Sequence, residues 1–163
     1  LVVVGVAPAL PEAWDRVSLA AVGFEGFVRF GDLAGASVPR EAGIYVVLRT
    51  ATTPPDVLEL TRARAGSAYP LDDLAARWVP GTPVVYIGKA EAKVGGLRKR
   101  LSQYARKGSS HQGGRSIWQL ADQDELLAAW ALTPGESAED VEIRYRAAFA
   151  DVYGRWPFAN RKR

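Results

Sequence analysis

Two short apolar runs, Gly43-Ile44-Tyr45-Val46-Val47 and Val84-Val85-Tyr86-Ile87-Gly88, each carry one tyrosine. The second runs straight into a segment dense in lysine and arginine, and a lone carboxylate, Glu142, follows later on a helical pattern. A phenol donates a hydrogen bond or, once ionised, accepts a proton. A guanidinium grips phosphate oxygens through a planar fork of donors, and a carboxylate suits a hard divalent cation. Two phenols, a cluster of cations and one carboxylate are the groups that hydrolysis of a phosphodiester calls for.

The cations are concentrated. Residues 89–115 hold Lys89, Lys93, Arg98, Lys99, Arg100, Arg106, Lys107 and Arg115 against Glu91 alone, a window of +7 in a chain whose net charge is +3. The remainder is therefore slightly acidic. A basic stretch on an acidic body is what a polyanion-binding face looks like, although a solvated helix face has the same composition.

Composition sets wider bounds. A chain of 163 residues, 48% hydrophobic and 24% charged, has the length and balance of one globular domain with a sizeable core. No apolar run approaches the ~20 residues of a membrane span. The opening Leu1-Val2-Val3-Val4-Gly5-Val6 lacks the basic flank of a signal peptide. No membrane partner is expected. With no cysteine, disulfides and thiolate metal sites are excluded, and a cytoplasmic setting is the expectation. A chain that opens on Leu1 and holds no Met is expected to be a fragment, a processed form or the product of an alternative start codon.

Elements must position these groups. Pro11 to Val22 reads as an amphipathic helix, and Phe27 to Phe30 as a possible short strand before a turn at Gly31-Asp32. Gly43 to Arg49 is β-branched and reads as a buried strand ended by Pro54-Pro55. A helix is expected over Asp72–Trp78, a second strand over Val84–Gly88, and a helix over Leu97–Lys107. In that helix Leu97, Leu101 and Tyr104 share one face. Ser116–Leu120 reads as a short helix. Leu126–Leu132 suits strand or buried helix, and the stop at Thr133-Pro134-Gly135 favours strand. Ser137 followed by Asp140 approximates a capping box for a final helix reaching Tyr153. Trp118 and Trp130 read as core.

Gly43-Ile44-Tyr45 and Tyr86-Ile87-Gly88 resemble the two motifs that name the GIY-YIG nuclease superfamily. Arg100 with Tyr104 is similar to the family's helix pattern, and Lys89 resembles a lysine of several branches. His111 lies where some members carry a histidine, Glu142 resembles the metal-binding glutamate, and Pro157 with Asn160 resembles a closing Pro-x-x-Asn. The matches fall within residues 41–50 and 83–163. Two departures stand out: 40 residues separate Tyr45 from Tyr86, far more than in the family, and the stretch from Glu142 to Pro157 is also long.

The resemblance implies one α+β nuclease domain over 1–163, with an N-terminal extension (1–42) and an insertion between the motif strands (46–82). Its sheet would be small, mainly antiparallel and three-stranded, flanked by helices. The activity implied is Mg²⁺- or Mn²⁺-dependent hydrolysis of nucleic acid, most readily DNA. Glu142 would hold the metal, with Glu136, Glu139 and Asp140 as lesser candidates. Arg100 and Lys89 would clamp phosphate, and Tyr45 or Tyr86 would activate water directly or through the metal, its phenol pKa lowered by Lys89, Arg100 and the metal together. Tyr104, His111 and Asn160 complete the site. Lys93, Arg98, Lys99, Arg106, Lys107 and Arg115 would face the nucleic acid, with specificity from the added segments, a homodimer or a partner protein. A catalytically inactive nucleic-acid-binding module on the same fold is the alternative.

Overall fold

The structure, a computed structural model, describes residues 5–63, 67–106 and 112–161. At its centre lies an antiparallel sheet of β1 (Glu25–Arg29), β2 (Gly43–Leu48), β3 (Val84–Ala90) and β4 (Leu127–Leu132), in the order β1-β4-β2-β3. Four helices, α1 (Arg16–Ala21), α2 (Leu71–Arg77), α3 (Gly96–Ala105) and α4 (Ala138–Tyr153), and several 3₁₀ segments surround it. The class is α+β.

Three strands were expected and four are present. The additional one, β1, pairs with β4 and carries a bulge between Gly26 and Val28. Gly26 (φ 93°) and Phe27 (φ 54°) both lie in the left-handed region, so the inward–outward alternation that identifies a strand is broken there. Gly26 is also required sterically, because a Cβ there would stand 2.5 Å from the indole ring of Trp130. The N-terminal segment contributes Trp14, Leu19 and Phe24 to the core as well.

β2 is buried along its whole length, because β4 and β3 flank it and both sheet faces are covered. Alternate side chains divide into two clusters. Tyr45 and Val47 pack with Tyr86, Leu97, Leu101, Tyr104 and Trp118 on the α3 side. Ile44, Val46 and Leu48 pack with Ile87, Val141, Tyr145 and Phe149 on the α4 side. Burying each such aliphatic or aromatic side chain contributes roughly 1.5–3 kcal/mol before the entropy of ordering is subtracted.

Two connections matter for the site. The long segment between β2 and β3 is held against the 3₁₀ segment Gln112–Gln119. Leu58 N donates to Gln119 O (2.7 Å) and Arg62 N to Trp118 O (3.0 Å). The Gln119 side chain donates to Leu58 O and Tyr69 O and accepts from Tyr69 N. The tail after α4 returns to the free edge of β3. There Ala159 N donates to Val85 O, and the Asn160 amide brackets the peptide of Ile87, accepting from its N and donating to its O, both at 2.9 Å. An edge strand with unpaired polar groups is thereby covered.

Candidate functional site

Tyr45 and Gly88 are register partners in β2 and β3, and Val47 faces Tyr86. The rings of Tyr45 and Tyr86 lie 5.9 Å apart at centroid on the α3 side of the sheet. α3 presents Tyr104 to them, with its ring 5.7 Å from that of Tyr45 and its hydroxyl 3.2 Å from the Tyr45 hydroxyl. A Cβ at Gly88 would stand 2.5 Å from Tyr45 Oη and 2.7 Å from the Tyr86 ring. Only glycine leaves room there for the phenol ends to meet. Gly43, at the other end of β2, is equally constrained, since a Cβ there would collide with the Ala131 carbonyl and come within 2.7 Å of Leu97.

Burial dominates the electrostatics of the phenols. It pushes Tyr45, Tyr86 and Tyr104 well above the ordinary tyrosine value; neighbouring phenols add to the rise of Tyr45 and Tyr86, the hydrogen bond with Tyr45 opposes that of Tyr104, and Arg100 opposes all three. The chain's own cations therefore do not lower the phenols as the sequence led one to expect. Arg100 reaches the phenols, but desolvation outweighs it. Tyr45, Tyr86 and Tyr104 hold their protons at neutral pH, and in the Tyr45–Tyr104 pair either hydroxyl can donate.

Glu142 comes from α4, and its field raises both Tyr45 and Tyr86. Its carboxylate is 13% exposed and lies 3.2 Å from Nη2 of Arg146, one helical turn on. Burial raises its pKa above the usual carboxylate value against the pull of Arg146, Lys89 and Arg100, with Glu139 adding to the rise. Lys89 sits between acids, with Nζ 3.4 Å from Glu91 and 4.0 Å from Glu139. Phenols, guanidinium, ammonium and carboxylate thus converge from β2, β3, α3 and α4.

Known proteins add nothing to this geometry. No family model matches the chain, and no curated protein or solved structure matches it.

The remaining sequence-derived candidates divide. Lys93, Arg98, Lys99 and Arg106 are exposed. Arg98 and Lys99 border a shallow groove with Arg40, a cation that motif spacing does not reveal because it lies far upstream. The fold brings it there when the first amides of α3 donate to the Pro39 and Glu41 carbonyls. Those amides are therefore occupied, and side chains provide the positive charge of this surface. Arg115 points elsewhere, donating to Ser67 O (2.7 Å) and stacking over Tyr69. Both ends of the Asn160 amide are occupied by Ile87, so Asn160 positions the strand that carries Tyr86. Lys107 and His111 lie outside the described residues. Arg146 was missed in the sequence, and its i, i+4 spacing from Glu142 was the available signal. It is 8% exposed and lies over Trp156, its guanidinium carbon 4.6 Å from the ring centroid.

The donor chemistry around Glu142 accommodates Mg²⁺ or Mn²⁺. Among the described residues no three acidic or imidazole groups gather, so Glu142 would provide the main protein ligand. A hard cation that retains waters accepts one carboxylate plus phosphate oxygens. Burial disfavours the charged carboxylate despite its cationic neighbours, and added positive charge would relieve that cost.

Proposed function

We propose that this protein is an endonuclease of the GIY-YIG type, hydrolysing phosphodiester bonds of nucleic acid, most readily DNA. The observation that carries the reading is the cluster of Tyr45, Tyr86 and Tyr104 packed against Gly88, within the fields of Arg100 from α3 and Glu142 from α4. An ordinary core has no use for three phenols meeting at their polar ends beside a guanidinium and a carboxylate.

In this reading Arg100 and Lys89 hold the non-bridging phosphate oxygens and balance the charge that develops on them. Glu142 holds Mg²⁺ or Mn²⁺, which supplies Lewis acidity to the phosphate when bound. The protonated hydroxyls of Tyr45 and Tyr86 fix the attacking water and a phosphate oxygen, and Tyr104 fixes Tyr45. Asn160 keeps β3 in place. The exposed cations Lys93, Arg98, Lys99 and Arg106, joined by Arg40, steer the polyanion. The chain acts in the cytoplasm, alone, as a homodimer or with a partner protein.

One observation favours a second reading, an inactive nucleic-acid-binding module. The ion pair with Arg146 already neutralises Glu142. Incubating the purified protein with labelled single-stranded, duplex and forked DNA separates the two. Cleavage with Mg²⁺ that chelator abolishes is the expected result. Binding without cleavage of any substrate establishes the module, and neither binding nor cleavage removes both readings.

A further inference from the structure

A second cluster of cations lies outside the 89–115 window. Arg77, in the last turn of α2, and Arg155 and Arg161, from the segment after α4, line one cleft of about 490 Å³ together with Trp156 and Asn160. Its volume falls within the range of small-ligand sites, ~300–1,000 Å³. Asp73 is the acid paired with these arginines, 3.4 Å from Arg77 Nε and 2.6 Å from Arg161 Nη1. Burial acts against it, yet the hydrogen bond and charge of Arg161, then those of Arg77, hold Asp73 below the usual carboxylate range. It therefore remains ionised, and the cluster keeps a surplus of two positive charges.

The arginines are only partly used. Arg155 donates through Nη1 to the Ala76 and Trp78 carbonyls, at 2.7 and 3.4 Å. Arg77 uses Nε for Asp73. Arg161 uses Nη1 and stacks over Tyr69, its guanidinium carbon 3.7 Å from the ring centroid, while its Nε and Nη2 are buried without a hydrogen-bond partner among the described residues. Arg77 and Arg155 are the arginines whose remaining donors face solvent, and an oxyanion is the chemistry that engages two guanidinium groups together. A purely structural account, in which the arginines tie the tail to α2, explains the two bonds of Arg155 and the two contacts of Asp73. It does not explain why three guanidinium groups converge where one acid answers them.

The cleft also abuts the candidate site. Trp156 forms part of its wall, and the same ring carries Arg146, which holds Glu142. Trp156 therefore links the wall of the cleft to the arginine that pairs with Glu142.

We propose that the cleft of Arg77, Arg155 and Arg161 binds one phosphate group of a nucleic-acid strand, as a subsite separate from the basic surface of α3. This rests on the nucleic-acid reading above. The phosphate is either an internal diester or a terminal monoester, and the test distinguishes them.

The test measures binding of fluorescent single-stranded DNA, with and without terminal phosphates, across a salt series in chelator, so that cleavage plays no part. The variants are Arg77→Gln/Arg155→Gln and Arg77→Lys/Arg155→Lys, each with a thermal melt to verify folding. Arg161 is left intact because it is buried. The Gln pair is expected to bind about tenfold more weakly or worse, with the salt slope shallower by ~0.7, the value for one lost phosphate contact on a single strand. The Lys pair should recover the slope but only part of the affinity, since the fork is lost and the charge kept. Loss confined to terminally phosphorylated DNA assigns the monoester, and equal loss assigns the diester. Wild-type binding with unchanged affinity and slope in a folded Gln pair overturns the cleft and leaves the nuclease reading standing. Wild-type protein that binds no DNA overturns both.

Discussion

The two faces of the central sheet are built from alternate residues of the same strands, yet they differ in kind. On the α4 side, Ile44, Val46, Leu48 and Ile87 meet Val141 and Phe149, and the hydroxyl of Tyr145 is satisfied locally by the Ala9 carbonyl. On the α3 side, Tyr45, Tyr86 and Tyr104 bring three hydroxyls into equally complete burial, and the indole nitrogen of the neighbouring Trp118 has no hydrogen-bond partner. One face is a core that minimises free energy. The other retains polar groups that an apolar face would replace at no loss of packing, the pattern found where a fold concedes stability to a site.

That contrast can be broken or sharpened by substitution. The largest loss of stability is expected on the apolar face. Phe149→Ala should cost about 3–5 kcal/mol in denaturant unfolding, from lost transfer energy plus a cavity. Cleavage per folded molecule should change little. A comparable loss of activity at full folding would mean that the α4 side is not merely a core.

Gly88→Ala comes next. Its methyl would press on Tyr45 Oη and the Tyr86 ring, so ~1–3 kcal/mol of overpacking is expected. Cleavage should suffer more than stability, because the phenols are what must shift. Unchanged cleavage would show that the proposed activity needs no fixed arrangement of the phenols.

Tyr45→Phe and Tyr104→Phe should each change stability by ~0.5–1.5 kcal/mol, the range of an ordinary hydrogen bond. Their double variant should show coupling, because the two hydroxyls bond each other at 3.2 Å. Strict additivity would place the bond outside the energetics of the fold.

The smallest effect concerns pH. Burial raises all three phenols, so they stay protonated in the folded chain while the unfolded chain ionises near the ordinary tyrosine value of about 10. The unfolded state thus releases more protons, and stability should be flat from pH 7 to 9 as far as the phenols are concerned. It should fall above about pH 10. Tyr45→Phe should make that fall shallower in alkaline melts. A tyrosine ionisation near neutrality in the ultraviolet absorbance would reverse the assignment of the phenols as donors.

Much of this was legible from local signals. β2 and β3 announced themselves through β-branched runs, and Ser137 accepts from Asp140 N as its spacing predicted. Only the Phe27–Phe30 end of β1 was read as strand, because the bulge at Gly26 and Phe27 interrupts strand periodicity at its start. α1 begins at Arg16, later than expected, because Asp15 accepts from Ser18 N and sets the start. The residues of the candidate site could be named from their types and order, but the sign of the phenol shift could not. Charge is visible in a sequence, whereas desolvation depends on how completely α3 closes over β2 and β3. Arg40 acquires its significance from tertiary placement alone, whereas the spacing of Arg146 from Glu142 was a local signal.

The strand order carries a consequence for how the chain acquires its shape. The two central strands, β2 and β4, are aligned from Gly43 opposite Leu132 to Leu48 opposite Leu127, so every rung joins residues about 80 apart. Even the hairpin of β2 and β3 must first close the long segment that separates them. Loop entropy is therefore lost before the sheet returns any contact energy. Refolding should be slow for a chain of this length, and the phenol cluster should be among the last features to become protected from solvent.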